Sequence, residues 1–181
     1  MTKLIYRFNN KNLQTTLNSK EILGGKGANL AQMAKLGLPV PPGFTISTKV
    51  CEYFYKNNKK VPKKLINLVK KEIKIIEQVS KKKFGDLTNP LLISVRSGSR
   101  VSMPGMMDTI LNLGLNDKTV IALKNKTSNG RFAKDSYRRL IQMYGNVVLD
   151  VESHFFEELI ENYKLTKGVI QDTELEESDW D

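Results

Sequence analysis

The segment at residues 91–114 constrains the fold more than any other part of the sequence. It begins with a short apolar run at residues 91–95 and ends with a second apolar run at residues 110–113. Apolar runs of this length that are rich in β-branched residues and bounded by turn residues are typical of buried strands. The pattern therefore predicts two strands that return beside each other, joined by a long connection.

The connection between these two strands is rich in groups that can bind an anion. It contains two glycines, three serines and two arginines: Gly98, Gly105, Ser97, Ser99, Ser102, Arg96 and Arg100. Backbone N–H groups, hydroxyls and the forked donors of arginine can converge on one anion, and a polyphosphate requires that combination. The composition favours a loop that covers a phosphate group. A long hairpin loop whose arginines are only solvated fits the same pattern.

A second anion-binding pattern lies at residues 23–30, where Leu-Gly-Gly-Lys-Gly leads into a helix that Gly37 and the following prolines end. The start of a helix attracts anions because its unpaired N–H groups and its dipole both face the ligand. Lys26 adds a positive charge there. The segment is not a Walker A motif, because Gly27 stands where serine or threonine is required. A purely structural turn is the alternative.

Taken together, these two segments resemble the pyruvate phosphate dikinase family. The similarity is carried by SVRSGSR at residues 94–100 and SMPGMMDTILNLG at residues 102–114. It also covers residues 23–44 and 131–143, with a weaker trace to about residue 173. The part of the family that it resembles is the front of the N-terminal, ATP-grasp nucleotide-binding domain. The resemblance implies an α/β fold of the mixed α+β kind, ATP-grasp-like, of which this chain holds the first part only.

The resemblance also implies a domain organisation. Residues 1–173 are expected to form a partial ATP-grasp nucleotide-binding domain. Residues 174–181 are acidic and lose apolar periodicity, which predicts a frayed C-terminal tail. The complete family enzymes carry a longer nucleotide domain, then a phosphohistidine domain and a barrel domain for pyruvate. We therefore expect this 181-residue chain to correspond to the first piece of such an enzyme.

Site residues follow from the resemblance as well. It assigns ATP phosphate binding to Arg96 first and to Lys26 second. The residues that would shape the covering loop or line the nucleotide are Gly98, Ser99, Ser102, Met103, Gly105 and Thr109. ATP would bind with Mg²⁺, whose acidic ligands lie in the second half of the family's domain. Asp108 lies in the loop, but the sequence offers no pair of carboxylates spaced for a metal, and we assign no metal ligand and no catalytic residue.

The complete family enzyme converts ATP, pyruvate and phosphate into AMP, phosphoenolpyruvate and diphosphate, with a histidine as the phosphoryl carrier. The resemblance implies that this chain is an ATP-binding fragment of such a phosphotransferase and is not competent alone. A non-catalytic split or truncated remnant that binds a partner chain, such as the separately encoded remainder of the enzyme, is the alternative. His154 is the single histidine and does not match the family's phosphohistidine motif, so we do not assign it that role.

The net charge of +10 raises the possibility of nucleic-acid binding. Eleven of the 23 lysines lie between residues 56 and 83. Apolar residues recur among them at helical spacing: Leu65, Leu68, Val69, Ile73, Ile76 and Val79. This pattern predicts an amphipathic helix with a solvated lysine face, and we expect no nucleic-acid partner.

The remaining features predict a cytoplasmic protein. Cys51 is the single cysteine, so no internal disulfide can form, and we expect it to be a small buried residue. No hydrophobic run in the sequence approaches the length of a membrane span, and the first residues lack the pattern of a signal peptide. We therefore expect no membrane partner.

Overall fold

The computed structural model describes residues 3–8, 19–98 and 109–180. The regular elements are β1 (Ile5–Arg7), α1 (Ser19–Lys35), β2 (Phe44–Ile46), α2 (Thr48–Lys56), α3 (Lys63–Ser80), β3 (Ile93–Arg96), β4 (Thr109–Leu113), α4 (Thr119–Thr127), α5 (Gly130–Leu149) and α6 (Ser153–Lys167). Two short 3-10 helices follow at Asp172–Glu174 and Glu177–Trp180. This mixture of helices and short strands agrees with the predicted mixed α/β class. None of the described helices is long and apolar enough to cross a membrane.

The chain divides into two compact units. The first consists of Met1–Lys81 together with Ser97–Met107, and the second of Lys82–Arg96 together with Asp108–Asp181. The predicted tail at residues 174–181 belongs to the second unit. Neither compact unit therefore begins or ends at residue 173. The extent of the nucleotide-binding domain stays a prediction.

The first unit is built on a small antiparallel sheet in which β1 pairs with β2. Ile5 of β1 forms a buried cluster with Val50 of α2 and Leu65 of α3. The Arg7 guanidinium lies 2.5 Å from the Glu72 carboxylate, an ion pair that connects β1 to α3. A second buried cluster within α1 contains Leu23, Ala28 and Ala31. Helix α1 is thus fixed by its apolar face, which determines where the glycine-rich segment lies.

Helix α3 confirms the amphipathic helix predicted for the lysine-rich segment. Its buried residues are Leu65 and Ile76. The lysines at positions 63, 64, 70, 71 and 74 are all exposed. Because the apolar residues occupy one face at helical spacing, the lysines fall on the face that remains in water.

The prediction that Cys51 is buried is wrong. Cys51 is exposed, because its neighbour Val50 occupies the buried position of α2 and consecutive helical residues point about 100° apart. The N-cap of α2 is Ser47, since its hydroxyl accepts a hydrogen bond from the Lys49 amide at 3.3 Å. The Thr48 hydroxyl instead donates to the Glu21 carbonyl of α1. Two adjacent hydroxyl residues therefore have different roles, one capping α2 and one joining it to α1.

The second unit contains the strand pair predicted from residues 91–114. Strands β3 and β4 are antiparallel, with Val95 opposite Ile110 and a register irregularity between Ile93 and Val95. Ile110 of β4 packs in a buried cluster with Leu115 and with Leu140 of α5. Helix α5 begins after Asn129, whose side chain accepts a hydrogen bond from the Phe132 amide at 2.9 Å. The two predicted strands are confirmed.

The prediction that the acidic C-terminal segment is frayed is wrong. Leu175 is 2% exposed and is among the most completely buried side chains of the described part of the chain. The Arg131 guanidinium of α5 donates hydrogen bonds to the carbonyls of Asp172 and Leu175, both at 2.8 Å. The Lys167 ammonium lies 2.8 Å from the Asp179 carboxylate. Basic groups of α5 and α6 thus bind this segment, although it lacks the periodicity of a regular helix.

A turn at Asp86 leads towards β3. The Asp86 carboxylate accepts hydrogen bonds from the Thr88 hydroxyl at 2.7 Å and from the amides of Thr88 and Asn89, both at 2.8 Å. These hydrogen bonds, the hydroxyl bond foremost, lower the pKa of Asp86 from 3.8 to about 2. A carboxylate with this pattern stabilises the turn more strongly when it is ionised.

This pKa shift predicts how Asp86→Asn changes stability with pH. A lowered pKa in the folded state contributes stability above the unfolded value of 3.8, and that contribution is lost as the pH falls through about 2. We expect Asp86→Asn to lower the midpoint of denaturant unfolding at neutral pH, and the difference from the original protein to shrink on acidification. Glu158→Gln, at an exposed position of α6, is the control and should show no such pH-dependent difference. A difference for Asp86→Asn that stays constant with pH would contradict the assignment.

Candidate functional site

The predicted site residues fall into three groups in the structure. Lys26 and Gly98 belong to the first unit, whereas Arg96 and Thr109 belong to the second unit. The predictions for Ser99, Ser102, Met103 and Gly105 lie outside the described residues.

In the first unit, the glycine-rich segment does not form a continuous helix. Helix α1 is broken at Gly24, which has φ 70° and ψ 169°. This backbone conformation is essentially restricted to glycine, because a Cβ would clash with the neighbouring peptide groups. The break separates a short first stretch from a longer second stretch that starts next to Lys26. The sequence predicted a helix start near this point, and the structure places a sharp turn there.

The turn at Gly24 lies against Gly98. An ideal Cβ placed on Gly24 would be 3.4 Å from both the Cα and the carbonyl carbon of Gly98. Gly98 in turn is close to the Leu23 carbonyl, 3.8 Å from its own ideal Cβ. Two segments that are more than seventy residues apart in the sequence, each predicted to bind anions, therefore meet within the first unit.

Gly27 has a packing role in the same segment. An ideal Cβ on Gly27 would be 2.7 Å from the Thr45 hydroxyl oxygen and 2.9 Å from the Thr45 methyl group. Both distances are shorter than side-chain contacts in proteins allow. The absence of a side chain at residue 27 therefore lets α1 approach β2. Gly27, which excludes a Walker A motif, is thus required by packing. Sequence reasoning missed Thr45, because one residue in a three-residue strand carries no recognisable pattern.

Lys26 lies directly after the break and before this close approach. Its side chain is half-buried, while Gly24 and Gly27 on either side are buried. The position of Lys26 is thus fixed from both sides, by a backbone turn that only glycine adopts and by the packing of α1 on β2. A cation held in this way can bind an anion with little loss of side-chain entropy.

In the second unit, Arg96 and Thr109 are directly opposite each other in the β3–β4 ladder. They are the last residue of β3 and the first residue of β4, so they flank the predicted covering loop. Residues directly opposite in an antiparallel pair place their side chains on the same face. The exposed Arg96 guanidinium and the half-buried Thr109 hydroxyl can therefore act on the same ligand.

Comparison with known proteins shows which family this chain is similar to. A family model described as the AMP/ATP-binding domain of pyruvate phosphate dikinase matches residues 20–83, which include the Gly24 turn and Lys26. The pyruvate, phosphate dikinase of Entamoeba histolytica is 54% identical over 161 residues, which is 89% of this chain. The chain is similar to the pyruvate phosphate dikinase family. Enzymes of the same name from Rhizobium meliloti and Clostridium symbiosum are each 49% identical over 99% of this chain.

The chain spans only about a fifth of the length of the dikinases that it matches. The aligned part is 18% of the Entamoeba enzyme and 20% of the Rhizobium and Clostridium enzymes. The similarity therefore covers only a part of each of these dikinases.

Two further features concern the chemistry of the dikinase family. Among the described residues, no group of three or more His, Cys, Asp or Glu side chains could hold a metal ion. His154 lies at the surface near the start of α6, where its Nδ1 is 3.2 Å from the Glu152 carboxylate. Its ring packs beside that of Phe155, with 4.1 Å between the centroids. These surroundings are those of a surface side chain near a helix start.

The arginines at positions 138 and 139 have packing and ion-pairing roles. Arg138 forms hydrogen bonds with the Asp135 carboxylate at 2.7 Å and the Gln142 side chain at 2.8 Å. Its guanidinium also lies over the Trp180 ring, 4.8 Å from the centroid. Arg139 lies 3.1 Å from the same Asp135 carboxylate. Both cations are thus engaged within the second unit.

Proposed function

We propose that this chain is the front part of an ATP-grasp-like, AMP/ATP-binding domain and that it binds the phosphates of ATP. The observation that carries the proposal is the packing of the Gly24 turn against Gly98, which brings together two segments with the composition of phosphate-binding loops. The family match to residues 20–83 supports it, since that match covers the Gly24 and Lys26 segment. The ATP-grasp assignment and the domain extent of residues 1–173 rest on the sequence resemblance.

The proposed roles of the two cations differ in chemistry. Arg96 carries a planar guanidinium that can donate two parallel hydrogen bonds to phosphate oxygens, which favours orientation as well as affinity. Lys26 supplies a compact charge beside backbone N–H groups of the second stretch of α1, where the helix dipole also favours an anion. Gly98 and Thr109 are proposed to shape the loop or line the nucleotide, together with Ser99, Ser102, Met103 and Gly105. Electrostatic stabilisation of this kind is the main contribution that proteins make to phosphoryl transfer.

We propose that Mg²⁺ accompanies the nucleotide. Clustered phosphates require a divalent cation in addition to basic side chains. The described residues offer no set of carboxylates for the ion. Its protein ligands are therefore assigned to parts of the complete dikinase beyond the described residues.

The complete activity proposed is the conversion of ATP, pyruvate and phosphate to AMP, phosphoenolpyruvate and diphosphate. The chain contributes nucleotide binding to it, and the remainder of the dikinase, in the same or in a separate chain, supplies the other steps in the cytoplasm. The chain alone is proposed to lack this activity. No observation favours the alternative of a non-catalytic remnant.

The proposal is tested by the affinity of Arg96→Ala for ATP. A charge-assisted contact contributes about 1.5 to 3 kcal/mol, so we expect the dissociation constant for ATP to rise about tenfold to a hundredfold. The measurement is a titration of the isotope-labelled chain with MgATP, followed by chemical shifts. Lys83→Ala and Arg139→Ala, both at exposed positions of the same unit, are the controls and should leave the affinity unchanged. Equal, small effects from all three substitutions would contradict the assignment of Arg96.

A further inference from the structure

We infer that Gly24 is a positioning residue for the phosphate site, because its backbone conformation holds the Lys26 segment against Gly98. This inference rests on the proposed function, since the site is the one assigned to ATP phosphates. It adds a role for a residue that carries no functional side chain. The inference depends on three observations within the first unit: the conformation of Gly24, its contact with Gly98 and the anchoring of α1 on either side of the break.

The first observation is that the break in α1 is set by one residue. Gly24 has φ 70° and ψ 169°, a combination that L-residues with a Cβ essentially do not adopt. The stretch before the break is held by the buried side chain of Leu23. The stretch after it is held by the buried side chains of Ala28 and Ala31. Both stretches therefore contribute to one buried cluster, and the conformation of Gly24 lets the chain turn between them while this cluster forms.

The second observation is that the space at Gly24 is limited but sufficient for a methyl group. The ideal Cβ position is 3.4 Å from the Gly98 Cα and 3.5 Å from the Gly98 carbonyl oxygen, which are ordinary van der Waals contacts. Alanine at residue 24 would therefore be disfavoured by the backbone conformation that it must adopt, and not by a clash with Gly98. A substitution here changes the path of the chain while adding almost no volume.

The third observation shows where such a change would act. Residues from Gly27 onwards cannot shift easily, since Gly27 is in close contact with the Thr45 side chain. An L-residue at position 24 would relax towards helical or extended backbone angles, and the displacement would fall on residues 24–26 and on the contact with Gly98. The arrangement that binds phosphate would then be only partly populated. Apparent affinity falls in proportion to the population of the competent state.

The test is Gly24→Ala in the full chain. We expect the dissociation constant for MgATP to rise about tenfold, which corresponds to about 1.4 kcal/mol. We also expect the amide resonance of Gly98 to move in the nucleotide-free protein, an effect that does not depend on ATP. Gly37→Ala is the matched control, because Gly37 has φ 78° in the same unit and nothing within 4 Å of its ideal Cβ. It should change neither the affinity nor the Gly98 resonance.

A D-alanine at residue 24 separates conformation from the added methyl group, because a D-residue favours the positive φ that Gly24 adopts. The single cysteine, Cys51, allows a synthetic peptide of residues 1–50 to be ligated to the expressed remainder. We expect D-alanine to restore both the ATP affinity and the Gly98 resonance. Equal losses with L- and D-alanine would overturn the inference, and so would an unchanged Gly98 resonance in Gly24→Ala.

The variant Lys26→Ala distinguishes this inference from the proposed function. If Lys26→Ala and the original chain bind ATP equally, Lys26 does not bind phosphate and that part of the proposed function is wrong. The nucleotide-free spectrum of Gly24→Ala still shows whether Gly24 determines the position of Gly98. If Lys26→Ala loses affinity and Gly24→Ala does not, the proposed function stands and the positioning role of Gly24 is wrong. Loss of affinity in both variants, with Gly37→Ala unchanged, is the expected result.

Discussion

Leu175→Ala is expected to destabilise the second unit by about 2 to 5 kcal/mol, the range found when a fully buried leucine is truncated. Leu175 is 2% exposed although it lies in an acidic segment that carries no apolar periodicity. Its carbonyl accepts a hydrogen bond from the Arg131 guanidinium at 2.8 Å, which fixes the backbone beside the buried side chain. Truncation would leave a cavity that this tethered segment cannot easily close, and the cost of a cavity depends on how well the site can collapse.

Denaturant unfolding followed by circular dichroism measures this effect. Ile170→Ala is the matched control, because Ile170 is 85% exposed and lies five residues before Leu175. A substitution at such a surface position is expected to change stability by less than about 0.5 kcal/mol. Equal effects from the two substitutions would mean that the C-terminal segment does not pack as described, and would restore the expectation of a frayed tail.

The case of Leu175 shows which parts of the fold could be predicted from the sequence. Strands β3 and β4 and the amphipathic helix α3 were predicted because their apolar residues recur with a fixed period. The C-terminal segment was mispredicted because its stability comes from contacts that are distant in sequence, such as the hydrogen bonds from Arg131. A single buried leucine between two short 3-10 helices has no period to detect.

The same distinction, between local patterns and contacts distant in sequence, applies to the candidate site. Arg96 and Lys26 were predicted from local composition and from the resemblance to the family. Arg96 was expected in the connection between the strands, whereas the structure has it as the last residue of β3. That Gly24 would contact Gly98 could not be predicted, since the contact joins residues far apart in the sequence. The prediction for Cys51 was wrong for a related reason, because a single residue gives no indication of which face of a helix is buried.

Gly114→Ala is expected to destabilise the second unit by about 3 kcal/mol or more, because it combines two unfavourable effects that each cost about 1 to 3 kcal/mol, backbone strain and overpacking. Gly114 follows β4 and has φ 120°, a conformation that favours glycine. An ideal Cβ would lie 2.6 Å from the Leu91 carbonyl oxygen and 3.2 Å from the Phe84 ring. Leu91 is buried and its amide bonds to the Lys83 carbonyl at 2.8 Å, so that backbone cannot move aside freely.

Gly168→Ala separates the two effects. Gly168 ends α6 with φ 72° and has nothing within 4 Å of its ideal Cβ, so only the strain of a left-handed residue applies, about 1 to 2 kcal/mol. Denaturant unfolding gives the free energy of unfolding of both variants, and the difference between them is due to the Leu91 contact. Equal losses for Gly114→Ala and Gly168→Ala would mean that β4 does not approach Leu91 as closely as described. A larger loss at Gly114 would show that this contact holds together the end of the β3–β4 pair opposite to Arg96 and Thr109, on which the geometry of those two residues depends.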